Sequence, residues 1–190
     1  MPRRAPSTRD KGRQMTRMGV EVADRDPDLA ALDPVALRKA MGRFATGVTV
    51  VTTRAPNGKL EGLTVNSFAT VSLDPPLVLW NLARRAGSFQ AFASASHFAV
   101  NVLARDQLHL CRHFAAPNLD KLAHVPHRLG LGGCPLIEDT LAQFECAKAT
   151  EFDGGDHVIF VGRVLRTTHR EGDPLVFSGG DYHRLTALKT

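Results

Sequence analysis

The sequence predicts a mainly β domain with inserted helices, and three observations carry this. Runs of β-branched residues recur, the first being Val48-Thr49-Val50-Val51-Thr52-Thr53. Turn-forming residues separate the runs, at Pro56-Asn57-Gly58, Asp74-Pro75-Pro76 and Gly154-Gly155. Helical signals fall between the strands without alternating with them one for one, which favours a mostly antiparallel barrel over a doubly wound sheet.

Taken in order, Asp33-Pro34 supplies an N-cap and a proline at the first helical position, and Val35, Leu37, Ala40, Met41 and Phe44 follow at helical spacing. From Gly47 the β-branched run begins a hairpin that turns at Asn57-Gly58 and returns over Leu60 to Ser72. The prolines at 75 and 76 lack the N–H that a ladder needs, so pairing ends there and a new strand runs from Leu77 to Leu82. Ser88 to Ala95 suits a short helix behind a serine, and His97 to Leu103 resumes a strand. A helix follows from Asp106 to Phe114, and Asn118 to Glu138, rich in Gly, Pro and His, reads as a long loop with a helical turn. Leu141 to Glu151 and His157 to Thr168 are two further strands around Gly154-Gly155, and Leu175 to Phe177 and Tyr182 to Leu185 close the chain.

With 190 residues, 43% of them hydrophobic and 23% charged, the chain fits one ordinary globular domain. The formal net charge of +5 is concentrated at the start, where Arg3, Arg4, Arg9, Lys11, Arg13 and Arg17 face a single acid, Asp10. Basic and acidic residues balance over the rest, so a nucleic-acid footprint on the folded part is not supported. The division expected is a disordered basic tail over residues 1–30, with Met15 or Met18 as alternative starts, and a domain over 31–190. No run reaches the eighteen or so apolar residues of a spanning helix, and the N-terminus lacks the apolar core of a secretory signal, so the reading is cytoplasmic with no membrane partner. Cys111, Cys134 and Cys146 form no C-x-x-C pair and read as reduced thiols.

The chain carries no G-x-G-x-x-G fingerprint, phosphate loop, H-E-x-x-H or G-x-S-x-G. His109 and His113 share a helix face at i, i+4, but two ligands without a carboxylate beside them do not make a metal site, and none is expected.

More informative are several ordered blocks. Phe44-Ala45-Thr46-Gly47-Val48-Thr49-Val50-Val51-Thr52-Thr53, Gly62-Leu63-Thr64-Val65-Asn66-Ser67-Phe68 and Val71-Ser72-Leu73-Asp74-Pro75-Pro76-Leu77-Val78-Leu79 come first. Val100-Asn101-Val102-Leu103, Gly155-Asp156-His157-Val158-Ile159-Phe160-Val161-Gly162 and Ser178-Gly179-Gly180-Asp181-Tyr182 follow. Over about residues 35–186 the chain resembles the flavin reductase family, whose members include reductase components of two-component monooxygenases acting on phenols and hydroxyphenylacetate.

The resemblance implies an FMN-binding split β-barrel of Greek-key type, a homodimer that binds FMN or FAD, oxidises NADH or NADPH and passes reduced flavin to a separate flavin-dependent monooxygenase. Such chemistry requires no catalytic acid or nucleophile from the protein, because flavin carries the redox step and the protein orients it. The resemblance puts the isoalloxazine along Thr64, Val65, Asn66 and Ser67, and the phosphate near Asn81, Leu82, Ala83, Arg84, Arg85 and Ser88, with Phe89 and Asn101 also at the cofactor. Arginine forks suit an anion, although Ala83 and Ala86 stand where hydroxyl residues are common in the family. His157 is implied beside the nicotinamide in an orienting or electrostatic role, and Phe114 and Tyr182 as aromatic faces for either ring. Trp80 reads as core.

For each of these a plain alternative exists: Thr64 and Ser67 as solvent-facing strand residues, Arg84 and Arg85 as a solvated turn, His157 as a strand histidine bound to a carbonyl, Phe114 and Tyr182 as packing. At the level of function the alternative is a flavin-binding carrier or sensor of the same fold without appreciable turnover. FMN against FAD, and NADH against NADPH, are not decided by these residues.

Overall fold

The computed structural model describes residues 32–117 and 120–188. The tail expected over 1–30 lies outside the described residues. The first helix, α1 (Pro34–Met41), begins as its sequence dictates: the Asp33 carboxylate accepts from Val35 N at 3.0 Å and Ala36 N at 3.3 Å, and Pro34 occupies the first turn. None of its residues is buried.

Strands β1 (Thr46–Gly47), β2 (Thr49–Arg54), β3 (Leu60–Val65), β4 (Ala69–Leu73) and β5 (Pro76–Ala83) come next, then α2 (Phe89–Ser94) and β6 (His97–Val102). After a 3-10 turn at Arg105–Gln107 runs α3 (Leu108–Ala115), then the short strands β7 (His127–Leu129) and β8 (Pro135–Ile137). Two long strands, β9 (Ala142–Gly154) and β10 (His157–His169), precede β11 (Val176–Ser178) and β12 (Asp181–His183). Seven strands form one antiparallel sheet in the order β3-β2-β6-β9-β10-β5-β4, and β1-β11-β12 form a small second sheet.

Two departures from the sequence reading matter. The strand expected over Leu60 to Ser72 is broken: β3 ends at Val65, residues 66–68 cross over, and β4 joins the opposite edge of the same sheet. The loop expected over Asn118 to Glu138 contains the β7–β8 hairpin; Asn118 and Leu119 are outside the described residues.

That crossover fixes the shape of the sheet. Flat, seven strands spaced by about 4.8 Å would hold their edges about 29 Å apart. The four residue steps from Val65 to Ala69 span at most about 14 Å, so the sheet must curl until its edges approach. Ser67 bonds the crossover to β5 directly, accepting from Asn81 N at 3.0 Å and donating to Asn81 O at 3.3 Å.

Inside the curl, Trp80 stacks on Phe160 (centroids 5.0 Å, 18°) and meets Phe92 and Phe98 edge-on. A second apolar cluster, with Val48, Val50, Leu103, Cys111 and Phe114, lies between β2 and α3. Strand β2 is therefore buried on both faces, which explains a β-branched run without polar alternation. Among the described residues no helix is long and apolar enough to cross a membrane.

Candidate cofactor site

The end of β3, helix α3 and the β11–β12 hairpin enclose a hollow of about 150 Å³ lined by Val48, Thr64, Val65, Asn66, Cys111, Phe177 and Tyr182. Thr64 Oγ1 donates to the carbonyl of Cys111 at 2.7 Å, and Val65 O accepts from Thr49 Oγ1 at 3.1 Å, so the wall of the hollow is held from both sides. Phe177 and Tyr182 pair across their hairpin, with ring centroids 5.4 Å apart.

From Asn66 the crossover leads through Ser67 to Asn81 on β5. The side-chain oxygen of Asn81 is buried with no partner among the described residues, as is Thr46 Oγ1 on β1. An unpaired buried acceptor costs free energy unless a ligand or water supplies a donor. Past the end of β5, Arg85 is exposed and Ser88 precedes α2 with a hydroxyl that makes no capping bond. An acceptor, a free hydroxyl and a cation beyond a shallow hollow are a set of polar groups that fits a flat, polar-edged ring continuing into an anion.

The turn between β9 and β10 lies beside the end of β5, where His157 pairs with Ala83. His157 Nδ1 lies 2.7 Å from Asp156 Oδ1, and this hydrogen bond is the main cause that holds the exposed Asp156 carboxyl below the usual carboxylate range. Arg84 is drawn into the same turn: its backbone N donates to Asp156 O at 2.9 Å, its Nε to Gly155 O at 3.1 Å, and its guanidinium sits 2.9 Å from Asp153.

The family model for the flavin reductase like domain matches residues 41–186 of this chain. The chain belongs to the flavin reductase family.

Relatives of this flavin reductase family member agree across most of its length. FMN reductase (NADH) SmoA of Agrobacterium fabrum is 50% identical over 151 residues, 80% of this chain and 86% of that protein. The reductase component of flavin-dependent trigonelline monooxygenase of Acinetobacter baylyi is 42% identical over 148 residues, 78% of this chain and 46% of that protein, so the chain spans about half of that relative's length. Among solved structures, the NADH:FAD oxidoreductase SgcE6 of Streptomyces globisporus, in complex with NAD and FAD fragments, matches with a TM-score of 0.77 at 40% identity, covering 83% of this chain and 98% of that one.

Within this flavin reductase, the expected site residues divide. Thr64, Val65, Asn66 and Tyr182 meet at the hollow, Ser67 and Asn81 join it to β5, and Ala83 pairs with His157 at the turn. Three of the expected residues are engaged elsewhere in the structure. Phe114 is fully buried and its ring packs on the backbone of Gly62, where a Cβ would stand 2.7 Å from Cε1, so it has no face to offer a cofactor. Asn101 is also fully buried: its amide donates to Val50 O and Thr52 Oγ1 and accepts from Ile137 N, which ties β6 to β2 and β8. Arg84 spends its guanidinium on the β9–β10 turn. Leu82 is buried and Phe89 packs on the inner cluster.

Val48, Cys111 and Phe177 line the hollow and were not singled out by sequence. Pairing the two closing strands around Gly179-Gly180 would have set Phe177 against Tyr182. Nothing local marks Cys111. Of the paired histidines on α3, His113 Nε2 lies 2.8 Å from Lys121 O and His109 Nδ1 3.3 Å from Asp106 O, so each ring already has a carbonyl partner.

Proposed function

We propose that this chain is an NAD(P)H-dependent flavin reductase, which reduces FMN or FAD at the hollow between β3, α3 and β12 and supplies reduced flavin to a partner monooxygenase. The observation that carries this reading is the buried amide oxygen of Asn81, which lacks a donor among the described residues, on the residue whose backbone Ser67 bonds one step beyond hollow-lining Asn66. Bound flavin supplies the hydride-accepting chemistry. The residues of the chain do the placing: Thr64 to Asn66 give the ring a wall, Asn81 accepts at its polar edge, Ser88 and Arg85 meet the phosphate, and His157, oriented by Asp156, faces the nicotinamide. Positioning of this kind is sufficient for hydride transfer, which needs reacting carbons about 3–3.5 Å apart.

The curled sheet supports a split barrel. The exposed apolar side chains of the α1 segment, Val35, Met41 and Phe44, support a homodimer in which a second copy covers them. The reductase named for a monooxygenase supports an oxygenase partner, and a cytoplasmic site is the compartment where that partner and nicotinamide cofactors meet.

The test is steady-state oxidation of NADH and NADPH with FMN, FAD or no flavin. Rapid oxidation that requires added flavin is the expected result and also assigns both preferences. Tight flavin binding without turnover would overturn it in favour of a carrier or sensor.

A further inference from the structure

Cys111 presents two polar atoms to two different walls of the hollow. Its carbonyl accepts from Thr64 Oγ1 at 2.7 Å, and its thiol lies 3.2 Å from Tyr182 Oη. Thr64 belongs to β3, Cys111 to α3 and Tyr182 to β12, elements that share no sheet ladder with one another. The thiol is fully buried in the cluster beneath α3, so it has no freedom to follow the tyrosine.

Tyr182 itself has little else to fix it. Strand β12 is three residues long and exposed throughout, and the ring tilts against Phe177 without stacking on it. Contact with one aromatic neighbour leaves the ring free to change rotamer, whereas a hydrogen bond at its tip selects one.

We propose that Cys111 is a positioning residue, whose thiol holds the Tyr182 ring as one wall of the cofactor hollow while its carbonyl holds Thr64 as another. The proposal rests on the flavin reading only for what fills the hollow. The same contact pushes the Tyr182 phenol up to about 12, with the Cys111 hydrogen bond as the first cause, burial the second, and the nearby Arg112 charge opposing.

Tyr182 is the single tyrosine of the chain, so protein labelled with 13C at tyrosine Cζ gives one resonance that reports this contact. The variants are Cys111→Ala, Cys111→Val, which fills the space without a hydrogen-bonding atom and serves where the alanine variant does not fold, Cys111→Ser, which restores one, and Tyr182→Phe. Loss of the contact is expected to move the resonance, bring the alkaline midpoint toward the ordinary tyrosine value of about 10 and weaken FMN binding by about fivefold. Cys111→Ser is expected to recover all three. Combining Cys111→Val with Tyr182→Phe is expected to cost no more FMN affinity than either alone. An unmoved resonance in the alanine and valine variants, additive losses in the double variant, or a folded serine variant no better than valine would overturn the proposal. If the wild type binds neither FMN nor FAD, the flavin reading falls, while the resonance and midpoint still decide whether Cys111 holds Tyr182.

Discussion

The Nε of Arg84 donates to the carbonyl oxygen of Gly155 at 3.1 Å, tying the end of β5 to the turn that precedes His157. A residue that reads from sequence as a phosphate fork is therefore a brace for the β9–β10 turn. Arg84→Met is expected to raise the KM for NADH about tenfold through misplacement of His157, and to leave the FMN dissociation constant unchanged. Arg85→Met is expected to do the reverse. His157→Ala should lower kcat/KM for NADH without affecting FMN binding. Steady-state kinetics beside flavin titration separates these outcomes, and weakened FMN binding in Arg84→Met would restore the phosphate assignment.

Ser67→Ala removes the hydroxyl that serves both the N–H and the carbonyl of Asn81. The N–H is then left without its partner, at an expected loss of about 1–3 kcal/mol. Urea unfolding measures it; an unchanged midpoint would mean that water replaces the hydroxyl.

Gly162 lies where the β9–β10 ladder shifts register, and a Cβ there would overlap the Phe98 ring and approach Cys146 Cβ to 3.0 Å. Gly162→Ala is expected to destabilise the domain by about 1–3 kcal/mol through overpacking. Combining it with Phe98→Leu, which shortens the opposing side chain, should return part of that loss.

Burial pushes the thiol of Cys134 up to about 11 and that of Cys146 to about 12. In the unfolded chain both ionise near the ordinary thiol value of about 8.5. The folded form therefore holds more protons above that pH, so stability is full below it and falls as pH rises through the folded values, by about 1.4 kcal/mol per pH unit for each extra proton held. Chemical denaturation between pH 8 and 11 should show this slope, and Cys146→Ala should flatten it although its starting stability is lower.

The elements that sequence made legible are those whose signals are local. Asp33-Pro34 opens α1 with its own carboxylate, the β-branched run at 48–53 supplies all but the last residue of β2, and Gly154-Gly155 marks the turn of the longest hairpin. Illegible were the features set by distant partners. Asn66-Ser67-Phe68 contains neither glycine nor proline, and the strand breaks there only because the chain must pass to the other edge of the sheet. Alternation on β6 puts Asn101 opposite Val100 and Val102, an outward position, but β6 is covered on both faces and the amide is consumed inside. Being aromatic did not say which side of α3 Phe114 occupies; the bare backbone of Gly62 decides that. Arg84 finds Asp153, and Cys111 finds Tyr182, across much of the chain.

The strand order also dictates when the domain can be completed during synthesis. Through Val102 the chain possesses β3, β2 and β6 as one ribbon and β4 and β5 as another, joined covalently at 66–68 but sharing no ladder. The gap between them is filled only by the hairpin of residues 142–169. At ribosomal speed that hairpin follows on the order of 10 s later, and until then β6 and β5 each present a bare edge to other nascent chains. Ribosomes halted between residues 102 and 142 would accordingly release sticky, incomplete ribbons in place of a smaller folded unit.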